Sequence, residues 1–163
     1  MATLFCAPMA FTVAASSAIA TAQASNLALD FPGMVYRSIA VAPAFVTVLV
    51  SGQWDTLALA GTNLRATDTI RVRAASSEAN TTTAPTFDQT VVAWSGVAPA
   101  AGALSLLTLP NPRSEPFIRI DITSTGNPAG FVEVQRLCIG KRFENPGLDI
   151  GAERTMEDTS SVD

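Results

Sequence analysis

Residues 117–140 read FIRIDITSTGNPAGFVEVQRLCIG, and this stretch decides the fold class. Ile118, Ile120 and Ile122 alternate with Arg119, Asp121 and Thr123. A period of two places the isoleucines on one face of a strand and the polar residues on the other, so one side is buried. Asn127-Pro128-Ala129-Gly130 follows, with Asn, Pro and Gly at the first, second and fourth positions that a type I turn favours. Val132 and Val134 then carry the apolar face, with Glu133 and Gln135 opposite. At Gln135-Arg136 the phase slips, and Leu137 and Ile139 take over. A β-bulge at that step would return both apolar pairs to one side. The expectation is two long antiparallel strands joined as a hairpin.

Working outward, residues 45–50, 56–60, 69–74, 90–94 and 104–109 are further strand candidates. They are separated by Ser51-Gly52, Gly61-Thr62-Asn63, a polar run over 75–85, a small-residue run over 98–102 and Pro110-Asn111-Pro112. In 69–74, Ile70 and Val72 point one way and Arg71 and Arg73 the other. No helical period of useful length occurs outside the alanine-rich head. Many short strands with Gly/Pro turns indicate an all-β sandwich of jelly-roll type.

The chain has 163 residues, enough for one domain with a core that needs no disulfide or metal staple. It contains no histidine. That removes the commonest general base, the Ser-His and Cys-His nucleophile pairs and the usual zinc ligand sets. Cys6 and Cys138 are too far apart in sequence to be a metal knuckle and read as small apolar side chains. A net charge of -4, from 10 basic and 14 acidic residues, argues against a nucleic-acid-binding surface.

Charge is unevenly placed. Residues 1–29 carry none, whereas 144–163 hold Glu144, Asp149, Glu153, Glu157, Asp158 and Asp163 against Arg154 alone. The division expected is an uncharged N-terminal arm (1–29), a β-sandwich domain (30–143) and an acidic C-terminal tail (144–163). Ala22-Gln23-Ala24 ends an apolar stretch in an A-x-A pattern, but a secretory signal wants a positive start and none is present. Ser16, Ser17, Thr21, Gln23, Ser25 and Asn26 interrupt the same stretch, so membrane insertion is not expected. An extended arm lying on its own domain or on a neighbour is the reading that remains.

A resemblance enters through three groups of residues. Leu57-Ala58-Leu59-Ala60-Gly61-Thr62-Asn63-Leu64 followed by Thr69-Ile70-Arg71-Val72-Arg73 resembles the strand, Gly-x-Asn-Leu, strand element of galactose-binding-like (discoidin-type) β-sandwiches. The alternating segments within 117–140 look like the late strands of the same class. Together with Pro32-Gly33-Met34-Val35-Tyr36-Arg37-Ser38, the set is similar to small virion proteins at the tail tip of long-tailed bacteriophages. The resemblance covers roughly residues 25–160. It departs at Thr62, where such proteins often carry His, and at Phe117, where they often carry Trp. What it implies is a structural role in the virion, at the distal tail or baseplate, with other tail proteins and further copies of the chain (a homo-oligomer) as partners. The alternative is a carbohydrate-binding module that recognises a host-surface glycan.

No catalytic, cofactor-binding or metal-ligating residues are expected. Asp121 and Glu133 would face each other across the hairpin, but cross-strand charge pairing suits them better than a hydrolytic dyad. The serine pairs lack a base, and Lys141 is the only lysine. The tail acids do not follow a calcium-loop spacing. For ligand or interface contacts the residues singled out are Trp54 and Trp94, as aromatics near strand ends, and Arg71 and Arg73, on one face of a strand.

Overall fold

The computed structural model describes residues 3–31, 33–94 and 103–145. They form two five-stranded antiparallel sheets packed face to face, the all-β sandwich expected from the alternation. The strands are β1 (Thr3–Pro8), β2 (Phe11–Ala15), β3 (Tyr36–Arg37), β4 (Ala44–Val50), β5 (Trp54–Thr62), β6 (Thr69–Ala75), β7 (Phe87–Val92), β8 (Ala103–Arg113), β9 (Phe117–Thr123) and β10 (Glu133–Asn145). One 3₁₀ turn (Ala24–Ala28) and one short helix, α1 (Asn80–Thr83), complete the described elements. The first sheet runs β1-β10-β5-β8, with β3 also on β10. The second runs β2-β4-β9-β6-β7.

The core lies between the sheets and follows the period-two pattern. From the second sheet it takes Val46 and Val48 of β4, Ile118, Ile120 and Ile122 of β9, and Ile70 and Val72 of β6. From the first come Leu57 and Leu59 of β5, Leu107 and Leu109 of β8, and Val134, Leu137 and Ile139 of β10. Each such side chain, taken from water to full burial, contributes about 1.5–3 kcal/mol.

The expected hairpin does not form. β9 pairs with β4 and β6 in one sheet, while β10 pairs with β1, β3 and β5 in the other. Residues 124–132 therefore carry the chain across the sandwich. Alternation tells each strand which face to bury, and both strands do bury it, but against each other's sheet rather than side by side. The turn within this crossing is as expected: Gly130 N donates to Asn127 O at 3.1 Å, with Asn127 Oδ1 accepting from Ala129 N.

The bulge is also elsewhere. β10 keeps one register along β5, from Val134↔Thr62 to Leu137↔Leu59, while the irregularity lies between β5 and β8, between Leu59 and Thr62. Gly61 sits there at φ +61°. A Cβ at Gly61 would meet Gln135 Oε1 at 2.4 Å. A glycine thus supplies both the left-handed conformation and the room that the phase change of the two strands requires. β8 continues through Pro110 and Pro112 to Arg113, further than the prolines suggest. It is an edge strand whose pairing with β5 jumps from Thr108 to Arg113, so both prolines fall outside the paired register.

Residues 3–28, expected as an arm, are built into this same sandwich. β1 adds to β10 and β2 adds to β4, one strand to each sheet. Phe11, Val13 and Ala15 pack on the core while Thr12 and Ala14 face out. An uncharged segment with this alternation completes its own domain's sheet edges and buries its apolar face there. The acidic tail lies outside the described residues beyond Asn145.

Candidate functional site

The β5–β6 and β9–β10 loops, two of the connections that cross between the sheets, are locked to each other by side chains of the Gly-x-Asn-Leu element and its neighbours. Asn63 donates from Nδ2 to Phe131 O at 2.9 Å and accepts at Oδ1 from Glu133 N at 2.8 Å. Asp68, 3% exposed, accepts from Ser124 Oγ at 2.7 Å, from Arg65 N at 2.8 Å and from Arg65 Nη2 at 2.6 Å. Arg65 also reaches Gly126 O and Thr125 O, both at 2.8 Å. Burial alone would raise the Asp68 carboxyl, but the hydrogen bonds from Arg65 and Ser124 outweigh it and hold it below its ordinary range. These bonds clasp the two loops to each other at this end of the sandwich.

Open functional groups gather instead on the outer face of the second sheet. The polar faces of β4, β9 and β6 lie side by side there. Arg119 stands directly opposite Thr47 on one side and Arg73 on the other, and Asp121 stands opposite Phe45 and Arg71. Two arginines facing each other repel. Asp121 resolves the conflict by bonding both: Oδ2 accepts from Arg73 Nη2 at 2.6 Å, and Oδ1 from Arg119 Nε at 2.9 Å. The Arg119 guanidinium lies over the Phe45 ring, with Cζ 3.5 Å from its centroid. Arg73 is buried beneath α1, with Nη1 3.5 Å from Thr82 O.

Two shallow clefts flank this stack. One of about 220 Å3 is lined by the 41–45 segment, with Pro43 and Phe45, and by Arg119, Asp121, Thr123 and Thr125. The other, of about 240 Å3, is lined by Thr12, Thr47, Leu49, Phe117 and Glu78. Between Leu49 and Phe45 the floor runs for about 13 Å, four residue steps at about 3.3 Å each. The surface so formed combines hydroxyls, a guanidinium, carboxylates and aromatic edges, which can hydrogen-bond and pack against a polar ring.

Trp54, expected near a strand end, is fully buried. Its Nε1–H donates to Glu115 O at 3.2 Å, and its ring meets Phe87 edge-on at 6.0 Å. No face is left for a ligand. Trp94 is half-buried and donates from Nε1 to Leu64 O at 2.7 Å. Arg71 and Arg73 do share the outer face, but each already has a carboxylate, Asp88 at 2.5 Å and Asp121 at 2.6 Å. Asp121 and Glu133 are not a pair, because they stand on different sheets and Glu133 binds Arg37. Thr62 is buried, and Phe117 lines the second cleft. Cys6 and Cys138 are partly buried, with their sulfurs 3.5 Å apart as free thiols. Among the described residues, no three His, Cys, Asp or Glu side chains gather as a metal site.

Phe45, Thr47 and Arg119 were the residues that sequence reasoning passed over. Alternation puts Arg119 and Asp121 on an outer face, but the register that brings them to Arg73 and Phe45 joins segments far apart in the chain.

No protein-family model matches the chain, and no curated protein matches it in sequence. Solved structures do resemble it. A family 32 carbohydrate-binding module (CBM) from C. perfringens NanJ, in complex with galactose, is 14% identical with a TM-score of 0.54, covering 82% of this chain and 93% of that one. The chitosan-binding module 1 of a chitosanase/glucanase from Paenibacillus sp. IK-5 is 21% identical with a TM-score of 0.54, covering 81% and 96%. CBM32-1 from a family 31 glycoside hydrolase of Clostridium perfringens is 8% identical with a TM-score of 0.56, covering 82% and 96%. The fold is that of the galactose-binding-like β-sandwich.

Proposed function

We propose that this chain is a carbohydrate-binding module that holds its ligand without catalysis. The observation that carries the reading is the groove on the outer face of the second sheet, where Phe45, Arg119, Asp121 and Thr47 offer stacking, donor and acceptor groups together. Similarity of fold to modules solved with or named for sugars supports it. A glycan array probed with the purified protein tests it. Binding to a defined set of glycans, lost on replacing Thr47 with a bulky side chain, is the expected result. An array silent at high protein concentration would sink it.

A second reading is a structural subunit of a bacteriophage tail, located in the virion and assembling with other tail proteins and with its own copies. It is supported by the residue resemblance to tail-tip proteins and by four exposed apolar side chains within one segment, Leu29, Phe31, Met34 and Ile39. Phe31 is 69% exposed. A glycan-binding subunit of a tail would satisfy both readings. Sedimentation of the purified chain at increasing concentration tests the assembly, and a monomer throughout, unchanged by Phe31→Ser, counts against it.

A further inference from the structure

We infer that the cleft beside Arg119 takes the carboxylate of an acidic sugar, so that the glycan bound by the second sheet contains uronic acid units. This rests on the carbohydrate-binding reading above and names the ligand class for the same face. Three observations lead to it. First, the Arg119 side chain uses only Nε within the protein, on Asp121. Among the described residues its two Nη groups meet no partner, and neither is sealed from solvent. A guanidinium with its outer edge free presents the two parallel donors that match a carboxylate.

Second, the local charge does not cancel. Asp121 is shared by Arg73 and Arg119, while Arg71 is neutralised by Asp88. Three arginines meet two carboxylates on this face, so one positive charge is left over beside the cleft. Asp121 lines the same cleft, but its two oxygens are taken by Arg73 and Arg119, and Glu78 lines the second cleft. Third, the fork is held in place. Phe45 lies beneath it and Asp121 fixes Nε, so little side-chain freedom is lost on binding.

A peptide carboxylate fits less well. β4 and β9 are interior strands, each paired on both sides, so they have no free backbone edge on which an extended peptide could add. The cleft's volume of about 220 Å3 suits a single ring, with Thr123 and Thr125 at its rim for ring hydroxyls and Pro43 and Phe45 for its apolar face.

The test is calorimetric titration of the intact protein with trigalacturonate, with its fully methyl-esterified form and with a penta-glutamate peptide. The acid is expected to bind at least tenfold tighter than the ester at low salt. That preference should shrink as salt rises and vanish in Arg119→Gln. Equal affinity for acid and ester would overturn the carboxylate assignment while leaving carbohydrate binding standing, and peptide binding as tight as the acid would overturn the choice of sugar. Absence of binding to all three, with neutral glycans bound on the array, also overturns the assignment, whereas an array silent throughout removes the underlying reading. The acid-to-ester comparison uses the wild-type chain, so it holds even if Arg119→Gln fails to fold.

Discussion

Replacing Asp68 with alanine should cost about 3–7 kcal/mol, because this one carboxylate joins the β5–β6 loop to the β9–β10 loop. The magnitude follows from its partners. The Arg65 guanidinium is 39% exposed and regains water when the carboxylate goes, so its ion pair is worth about 0.5–1 kcal/mol. The Arg65 N–H and the Ser124 hydroxyl are different. Ser124 is fully buried, and both groups would be left without their acceptor, at about 1–3 kcal/mol each. The sum is a large share of a stability of about 5–15 kcal/mol. For a chain of this length it lowers Tm by roughly 10–20 °C. Urea unfolding followed by tryptophan fluorescence reads the change directly. Asp68→Asn keeps one acceptor and should lose about half as much. In a double-mutant cycle with Ser124→Ala, the two changes should couple by about 1 kcal/mol or more, since each removes the same bond. If Asp68→Ala lost less than about 1 kcal/mol, or if the cycle were additive, the clasp would not be what holds the crossing.

Stability should also depend on pH in a particular window. Asp68 and Glu115 are both held below their ordinary range: burial pushes each up, and the arginine hydrogen bonds outweigh it. Their contribution is therefore complete above the unfolded-state value of about 4 and is lost as pH falls through the lower folded-state values. With no histidine in the chain, the urea midpoint should stay flat between pH 6 and 8, and a transition there would contradict this account. Gly61→Ala should cost about 1–2 kcal/mol through its left-handed backbone, and adding Gln135→Ala should recover only the steric part. In Gly140→Ala the new Cβ would lie 1.8 Å from the Ala7 carbonyl oxygen, so β1 should lose amide-exchange protection while β4 and β9 keep theirs. The Cys6 thiol is pushed up to about 12, first by burial and then by Cys138 and Asp55. At pH 8 only about one in ten thousand such thiols is ionised. Iodoacetamide should leave Cys6 largely unmodified until the chain is unfolded, and rapid labelling in the native state would refute this placement of the thiol.

How much of the candidate site could be read in advance differs residue by residue. Arg71 and Arg73 were assigned to one outer face by the alternation in 69–74, and that is where they stand. The sequence does not reveal that each already has a carboxylate partner, Asp88 and Asp121. Trp54 reads in the sequence as an aromatic near a strand end, but Phe87 and Glu115, both distant in sequence, enclose it. Arg119 and Phe45 show nothing unusual in their own segments. They become a site only when β4 and β9 align and the guanidinium meets the ring.

What the sequence by itself determined is the class of the fold and the inner face of each main strand. Both follow from a period of two, which is a local property: each strand sorts its own side chains to one face or the other whatever its neighbour is. The sequence also excluded histidine-based catalysis, by composition alone. What only the tertiary structure decided is which strand lies beside which. β9 and β10 are consecutive and alternate in the same way, yet they stand in opposite sheets, and the N-terminal residues complete both sheets. Partner choice depends on burying every apolar face at once and on buried clasps such as Asp68 with Ser124. These contacts have no local signature, so the groove at Arg119 exists only once the whole chain is folded.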